Sequence, residues 1–260
     1  MSATQPARTA REQFDRQASE YDAVWNQWSE EPLRWLLEHA ELQPGDSVLD
    51  VATGTGFTAL AVAPYVHSVV GLDVSTGMLA EAARNAELRG ITNVSWKEGE
   101  AEAVPFDDAS FDLVTCRIAP HHFRSVPAFL GETRRVLRPG GRFVLVDTSV
   151  PEDATAAAWQ NRVERLRDLS HMRNYSAAEW RRMVEEAGLT VDALDATSGG
   201  IPITLKDWLH KAGCTGAEAE TVTDLFLNAP AEAVSEFKIN RLQDGDVAFV
   251  WQRVALRARR

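Results

Sequence analysis

Val48-Leu49-Asp50-Val51-Ala52-Thr53-Gly54-Thr55-Gly56 is the stretch whose reading decides the fold. An apolar strand runs into an acid, then into a small glycine-bearing turn, then into a helix from Phe57. A second acid, Asp73, ends the next strand, 23 residues after Asp50. This is the layout of a nucleotide-type pocket at the carboxyl edge of a parallel sheet. Glycine at 54 and 56 removes the Cβ that would obstruct a tight turn or the close approach of backbone to a ligand. Asp73 stands where an acid takes both ribose hydroxyls of an adenosine. Taken alone, the turn has a second reading, because many strand–turn–helix junctions are glycine-rich for packing only.

Outward from this turn the pattern predicts strands at 47–51, 68–73, 94–98, 111–116, 142–147, 190–195 and 247–256. Helices are predicted at 57–64, 76–89, 126–137 and 176–187, the last opened by a capping box of Ser176 and Glu179. Alternating strands and helices imply a parallel sheet covered on both faces. Residues 1–8 read as disordered. Residues 10–30 read as an amphipathic helix with Phe14, Tyr21, Trp25 and Trp28 on one face, and a second helix is expected from Pro32.

Three further segments follow the turn. They are Gly99-Glu100-Ala101-Glu102-Ala103-Val104-Pro105-Phe106, then Ser110-Phe111-Asp112-Leu113-Val114-Thr115, then Leu137-Arg138-Pro139-Gly140-Gly141 running to Asp147. In this order, over roughly residues 10–150, the chain resembles the class I S-adenosylmethionine-dependent methyltransferases. The likeness is greatest to the small-molecule branch that includes the quinone-biosynthesis enzymes. One departure is Ala52, where the family has the first glycine of the turn; a slightly altered turn is expected. The resemblance implies an α/β fold: a Rossmann-like, doubly wound, seven-stranded, mostly parallel sheet with an antiparallel last strand, plus helical lid elements. One domain spans 1–260 on this reading. It has an N-terminal helical cap (1–43), a cofactor-binding core (44–150), lid or substrate insertions (151–175 and 199–243) and the remainder of the sheet (176–198 and 244–260).

The chain has 260 residues, is 45% apolar and carries a formal net charge of −11. That is enough for one large core. The acidic balance argues against a nucleic-acid substrate, whose phosphates want a basic face. There is no apolar run long enough to span a membrane and no signal-peptide pattern, so a cytoplasmic protein is expected. Cys116 and Cys214 form no CxxC or Cys/His cluster, which fits a reducing compartment and predicts no metal site. The expected partner is a small-molecule substrate; the oligomeric state is left open.

The resemblance implies S-adenosylmethionine as cofactor and assigns its contacts. Asp50 and Gly54 border the methionine end, with Ala52, Thr53 and Gly56 completing the turn. Asp73 takes the ribose, Val74 and Met78 sandwich the adenine, and Glu100 and Ala101 read its edge. Arg117 lies near the methionine carboxylate or the substrate. Tyr21 closes over the cofactor. The structural alternatives are a turn acid for Asp50, core for Met78 and packing for the aromatic stripe. A dinucleotide is disfavoured because an acid at the start of the turn suits an ammonium and a sulfonium better than a diphosphate.

Methyl transfer needs a nucleophile held in line and out of water, and a base where a proton must leave. His121 and His122, directly after the fourth strand, are the catalytic candidates, because histidine titrates near neutrality. The alternative is that one of them caps or packs a helix. Trp25, Trp159, Arg162, His171 and Trp208 are candidate substrate residues. Arg162 and Arg165 could fork onto an anion, or they could form a solvated face paired with Glu164 and Asp168. Ile201, Ile203, Trp208, Leu209, Phe226 and Leu227 offer apolar lining or core. The function expected is methyl transfer to carbon or oxygen, less readily nitrogen or sulfur, of a small organic molecule. The alternatives are a non-methylating elimination or cyclisation on the same fold, and a non-catalytic ligand-binding relative.

Overall fold

The computed structural model describes residues 9–18, 21–198 and 202–260, without the side chains of 17, 21–29 and 198. The expectations for residues 1–8, for Ile201 and for the side chains of Tyr21, Trp25 and Trp28 therefore lie outside the described residues.

A seven-stranded sheet carries the fold. Its strands are β1 (Ser47–Val51), β2 (Ser68–Asp73), β3 (Val94–Glu98), β4 (Phe111–Arg117), β5 (Leu137–Ser149), β6 (Thr190–Ser198) and, closing the chain, β10 (Gln252–Arg259). The order is β3-β2-β1-β4-β5-β10-β6, with β10 antiparallel to both neighbours and the remaining pairs parallel. The order reverses between β1 and β4, which opens a crevice beyond their carboxyl ends.

Period-two alternation splits the strands between two cores. Val48, Leu113, Val144, Val146 and Ala255 face one, under Trp35 and Leu36 of α2 (Tyr21–His39) and Ala59 and Val62 of α3 (Phe57–Val62). Leu49, Val114, Phe143, Leu145, Val254 and Leu256 face the other. There they meet Phe129 and Leu130 of α5 (Val126–Val136) and Trp180 and Val184 of α7 (Ala177–Glu186). The helix between β2 and β3, α4 (Thr76–Leu88), is capped by Ser75, whose hydroxyl accepts from the Met78 N–H.

Three expectations are corrected. The N-terminal segment is not one helix over 10–30 followed by another from Pro32. It is α1 (Ala10–Gln17), ended before Tyr21, and then α2, which runs through Pro32. Pro32 is buried and the next turn packs Trp35 and Leu36 on the sheet, so tertiary burial outweighs the lost backbone bond. Second, β5 begins at Leu137, because Gly140 and Gly141 exchange backbone bonds with Arg260. Third, the predicted strand 247–256 is two strands in two sheets. β9 (Val247–Phe249) lies between β7 (Ile203–Thr204) and β8 (Asn240–Arg241), and β10 starts after Val250 and Trp251. The break occurs where the Val250 N–H donates to the Phe237 carbonyl and Trp251 turns into a separate core.

That separate core holds α6 (Ala154–Arg167), α8 (Leu205–Lys211), α9 (Gly216–Leu227), α10 (Ala231–Glu236) and the small sheet. It is built on Trp159, Trp208, Phe226, Phe237, Phe249 and Trp251, whose rings meet at 4.7–6.2 Å. Edge-on and tilted contacts dominate, as the ring quadrupoles prefer.

Candidate functional site

The carboxyl ends of β1, β2 and β4 meet at the reversal point. Asp50 is buried at the end of β1 and accepts from the Thr53 hydroxyl at 2.6 Å and from Thr115 of β4 at 2.7 Å. Burial lifts its carboxyl to about 6, against the pull of those two hydroxyls and of Arg117. Asp73 ends β2 and accepts from the N–H groups of Gly54 at 2.8 Å and Ser75 at 2.9 Å. Burial raises its carboxyl as well, opposed by these backbone donors. The Thr53 N–H donates to the Leu72 carbonyl at 2.9 Å, so the turn after β1 is stitched across to β2.

Three alternate residues with positive φ shape that turn. Ala52 has φ +54°, the left-handed conformation the missing glycine would adopt readily. Gly54 has φ +56°, and a Cβ built there meets nothing within 4 Å. Gly56 has φ +83°, and a Cβ there would come 2.8 Å from the Trp96 ring. Glycine 56 is thus required by packing and by conformation, while Gly54 fronts open space. The space before Gly54 and the buried carboxylate of Asp73 beside it fit a ribose and its backbone cradle.

The remaining cofactor candidates cluster around this turn. Val74 is half-buried and Met78 fully buried behind it. The Gly99 N–H donates to the Asp73 carbonyl at 3.0 Å, which brings the exposed Glu100 and the buried Ala101 alongside the end of β2. Arg117 donates to the Thr58 hydroxyl at 2.9 Å and lies over the Phe57 ring, at the start of α3. From outside, α1 closes the edge. Asp15 accepts from the Ser75 hydroxyl at 2.5 Å, and Phe14 meets the His122 ring edge-on at 5.0 Å.

His121 and His122 sit in a short 3-10 turn (Pro120–His122) after β4. The turn follows Ile118, a β-branched residue at φ +52°, whose N–H is held by the Val146 carbonyl at 2.8 Å. A β-branched side chain in this region is strained and marks an over-determined loop. His121 Nδ1 lies 2.7 Å from Asp147 Oδ1. Burial lowers the imidazole and Asp147 raises it, with a net rise above 6.5. His122 is bonded through Nδ1 to the Ser170 carbonyl, and burial and the neighbouring His121 push it down to about 3. It therefore packs as a neutral ring. His171 stacks on His121 with ring centres 5.4 Å apart, and burial drives it far below its ordinary value. No cluster able to hold a metal exists among the described residues.

The other substrate candidates divide. Trp159 and Trp208 are buried in the aromatic core, and Arg162 and Arg165 are exposed on the outer face of α6. The inward-facing cation is Arg167, which pairs with the buried Glu164 and covers the Trp208 ring at 4.4 Å. Around it, Gln160 Nε2 and Oε1, Arg167 Nη1, His171 Nε2 and Asn174 Nδ2 are buried with no hydrogen-bond partner. A buried polar group left unmet costs about 1–3 kcal/mol.

Sequence reasoning missed Asp147, Thr148, Gln160, Arg167 and Asn174. Asp147 is placed by strand register, which the sequence alone does not show. Arg117 pairs with Val146 in register, so Asp147 stands beside the start of the histidine loop.

Comparison with known proteins agrees. Residues 49–145 match the family described as "Methyltransferase domain". The chain is 37% identical over 215 residues to the uncharacterized methyltransferase YcgJ of Bacillus subtilis, covering 83% of this chain and 84% of that protein. The crystal structure of YcgJ superposes with a TM-score of 0.84 at 34% identity, over 88% of this chain and 98% of that one. A demethylmenaquinone methyltransferase of Symbiobacterium thermophilum is 37% identical over 153 residues, 54% of this chain and 59% of that protein. No described helix is long and apolar enough to cross a membrane. With Asp50 and Asp73 at the β1/β4 reversal and these relatives, the chain belongs to the S-adenosylmethionine-dependent methyltransferases.

Proposed function

We propose that the protein methylates a carbon or oxygen nucleophile of a small organic molecule, with His121 as general base. The observation that carries this reading is the buried bond between His121 Nδ1 and Asp147. A carboxylate on Nδ1 fixes the neutral tautomer with its proton there and leaves Nε2 basic. When bound, S-adenosylmethionine would supply an electrophilic methyl carbon and, in its neutral thioether, the leaving group. His121 accepts the proton that the acceptor loses, and Asp147 stabilises the resulting imidazolium. The base belongs to His121 rather than to His122, because burial beside His121 disfavours a charge on the second ring.

On the cofactor side, Asp73 and the Gly54 backbone hold the ribose and the turn, with Asp50 behind them toward the methionine end. Ala52, Thr53 and Gly56 shape the turn, Val74 and Met78 back the adenine, Glu100 and Ala101 read its edge, and Arg117 guards the far end. The described parts of the segments 151–175 and 199–243 would form the acceptor-side cover. The similarity to a demethylmenaquinone methyltransferase supports a cyclic, conjugated acceptor as the first class to screen.

The test is release of S-adenosylhomocysteine across a panel of phenolic and 1,3-dicarbonyl acceptors, in wild type and in His121→Gln. The variant should lose about 10²–10⁴-fold in turnover, with cofactor affinity within twofold. Carbon-13 at the transferred methyl identifies the acceptor atom by NMR of the product. Unchanged turnover in His121→Gln eliminates it as the base.

A further inference from the structure

Four side chains of α6 and the loop after it carry buried polar atoms that meet no partner: Gln160, Arg167, His171 and Asn174. They come from two adjoining segments. Gln160 and Arg167 stand seven residues apart in α6, two turns along one stripe of that helix. His171 and Asn174 lie in the loop that follows. Gln160 and Asn174 are fully buried, His171 is 5% exposed, and the Arg167 side chain is 11% exposed.

The loop is tied to the base. The Met172 N–H donates to the His121 carbonyl at 2.8 Å, and the His171 ring stacks on His121. The Thr148 hydroxyl donates to Asn174 Oδ1 at 2.7 Å and lies 3.4 Å from His121 Nδ1. Asn161 of α6 accepts from the Asn174 N–H at 2.8 Å, which joins the loop to the helix. These bonds fix Asn174 and leave its Nδ2 over. Arg167 is fixed in the same way. Nε and Nη2 both reach Glu164 Oε2, the guanidinium lies over Trp208, and Nη1 is left over.

The leftover set is mostly donors, a guanidinium N–H, two amide nitrogens and an imidazole nitrogen in its Nε2–H tautomer, against one acceptor, Gln160 Oε1. A ligand group that accepts from several directions answers all but that one atom. An sp² oxygen is that group. We propose that these side chains form the acceptor subsite, in which a carboxylate or ketone oxygen of the methyl acceptor is held by Arg167, Asn174 and Gln160 beside His121. The assignment rests on His121 being the base. It places recognition of the acceptor on the inner stripe of α6, opposite the exposed Arg162 and Arg165.

The test uses full-length protein loaded with S-adenosylhomocysteine and three soluble probes of one size: benzoate, acetophenone and benzyl alcohol. Calorimetry should find benzoate or acetophenone bound at least tenfold tighter than benzyl alcohol. Preference for benzoate assigns a carboxylate, and preference for acetophenone a ketone. Gln160→Met and Arg167→Lys should each abolish the preference while S-adenosylhomocysteine affinity holds. Arg167→Lys keeps the charge opposite Glu164, and Gln160→Met removes an unmet amide, so its Tm should stay level or rise. Equal or absent binding of the three probes overturns the proposal. So does a preference that survives both variants, or a lowered Tm in Gln160→Met, which would mark the amide as structural. Failure of the wild type to bind S-adenosylhomocysteine would overturn the cofactor assignment instead.

Discussion

His121 and Asp147 are joined twice: ring to carboxylate at 2.7 Å, and backbone N–H to the second carboxylate oxygen at 3.1 Å. One acid thus sets both the tautomer and the position of the loop. Its net effect is to raise the imidazole above 6.5 despite burial. Turnover that needs the neutral ring should rise with pH through that raised value. Asp147→Asn should move the acid limb to lower pH and cut kcat by about 10²–10⁴-fold. The stability sign runs the other way. A raised histidine stabilises the fold below its unfolded pKa, and that contribution fades as pH rises through the folded value. A pH–rate profile unmoved in Asp147→Asn would leave the acid with a packing role only.

Asp50 carries a second pH signature. Burial lifts its carboxyl to about 6 from an ordinary 3.8. A raised acid contributes its stability fully below the unfolded value and loses it as pH climbs through the folded one. Ligand-free Asp50→Asn should therefore melt above wild type at about pH 8, with the gap closing toward pH 4. Its affinity for S-adenosylmethionine should fall, since the anion is gone. Thermal unfolding across that range, paired with calorimetry, reads both; a gap independent of pH would refute the assignment.

Ala52 occupies a glycine conformation, at φ +54°. A left-handed non-glycine residue costs about 1–2 kcal/mol, and glycine forfeits about 0.5–1 kcal/mol of chain entropy in exchange. Ala52→Gly should stabilise the protein by up to about 1 kcal/mol in urea unfolding, with cofactor affinity retained. Destabilisation would mean that the alanine methyl packs usefully.

Ile118 is strained in the same sense, but next to the base. Ile118→Gly relieves about 1–3 kcal/mol of backbone strain and frees the loop that carries His121. The expected result is a lower kcat with unchanged cofactor affinity. A kcat equal to wild type would show that Asp147 alone fixes the ring.

Trp159 anchors the separate aromatic core, against Phe226, Phe237 and Trp251. Trp159→Ala should cost about 3–5 kcal/mol by leaving a cavity. The cofactor half, centred on Asp73, packs in other clusters, so S-adenosylmethionine binding should persist at temperatures below the new transition. Loss of that binding in a folded variant would show that the two halves are coupled.

Much of this architecture is legible in the chain. Strand alternation and the Asp50-to-Gly56 turn suffice for a parallel sheet with a pocket at its edge, because side-chain period and glycine conformation are local properties. Two of the element ends that differ from expectation share one cause. Pro32 stays helical, and the strand from Val247 breaks at Trp251, because burial against distant residues outweighs a local preference. The same holds for the site. The sequence supplies His121 as a candidate base. Asp147, 26 residues away, becomes its partner only when β4 and β5 align in register.

What the sequence by itself determined is the α/β class, the cofactor turn and the family, all of which are written in contiguous residues with fixed spacing. Only the tertiary structure decided that His121 rather than His122 pairs with Asp147, that Arg167 rather than Arg162 turns inward, and that Trp159 and Trp208 are core. Those are facts of burial and of pairing between segments far apart in the chain, and a charge or a ring in a sequence has neither until the fold assigns its neighbours.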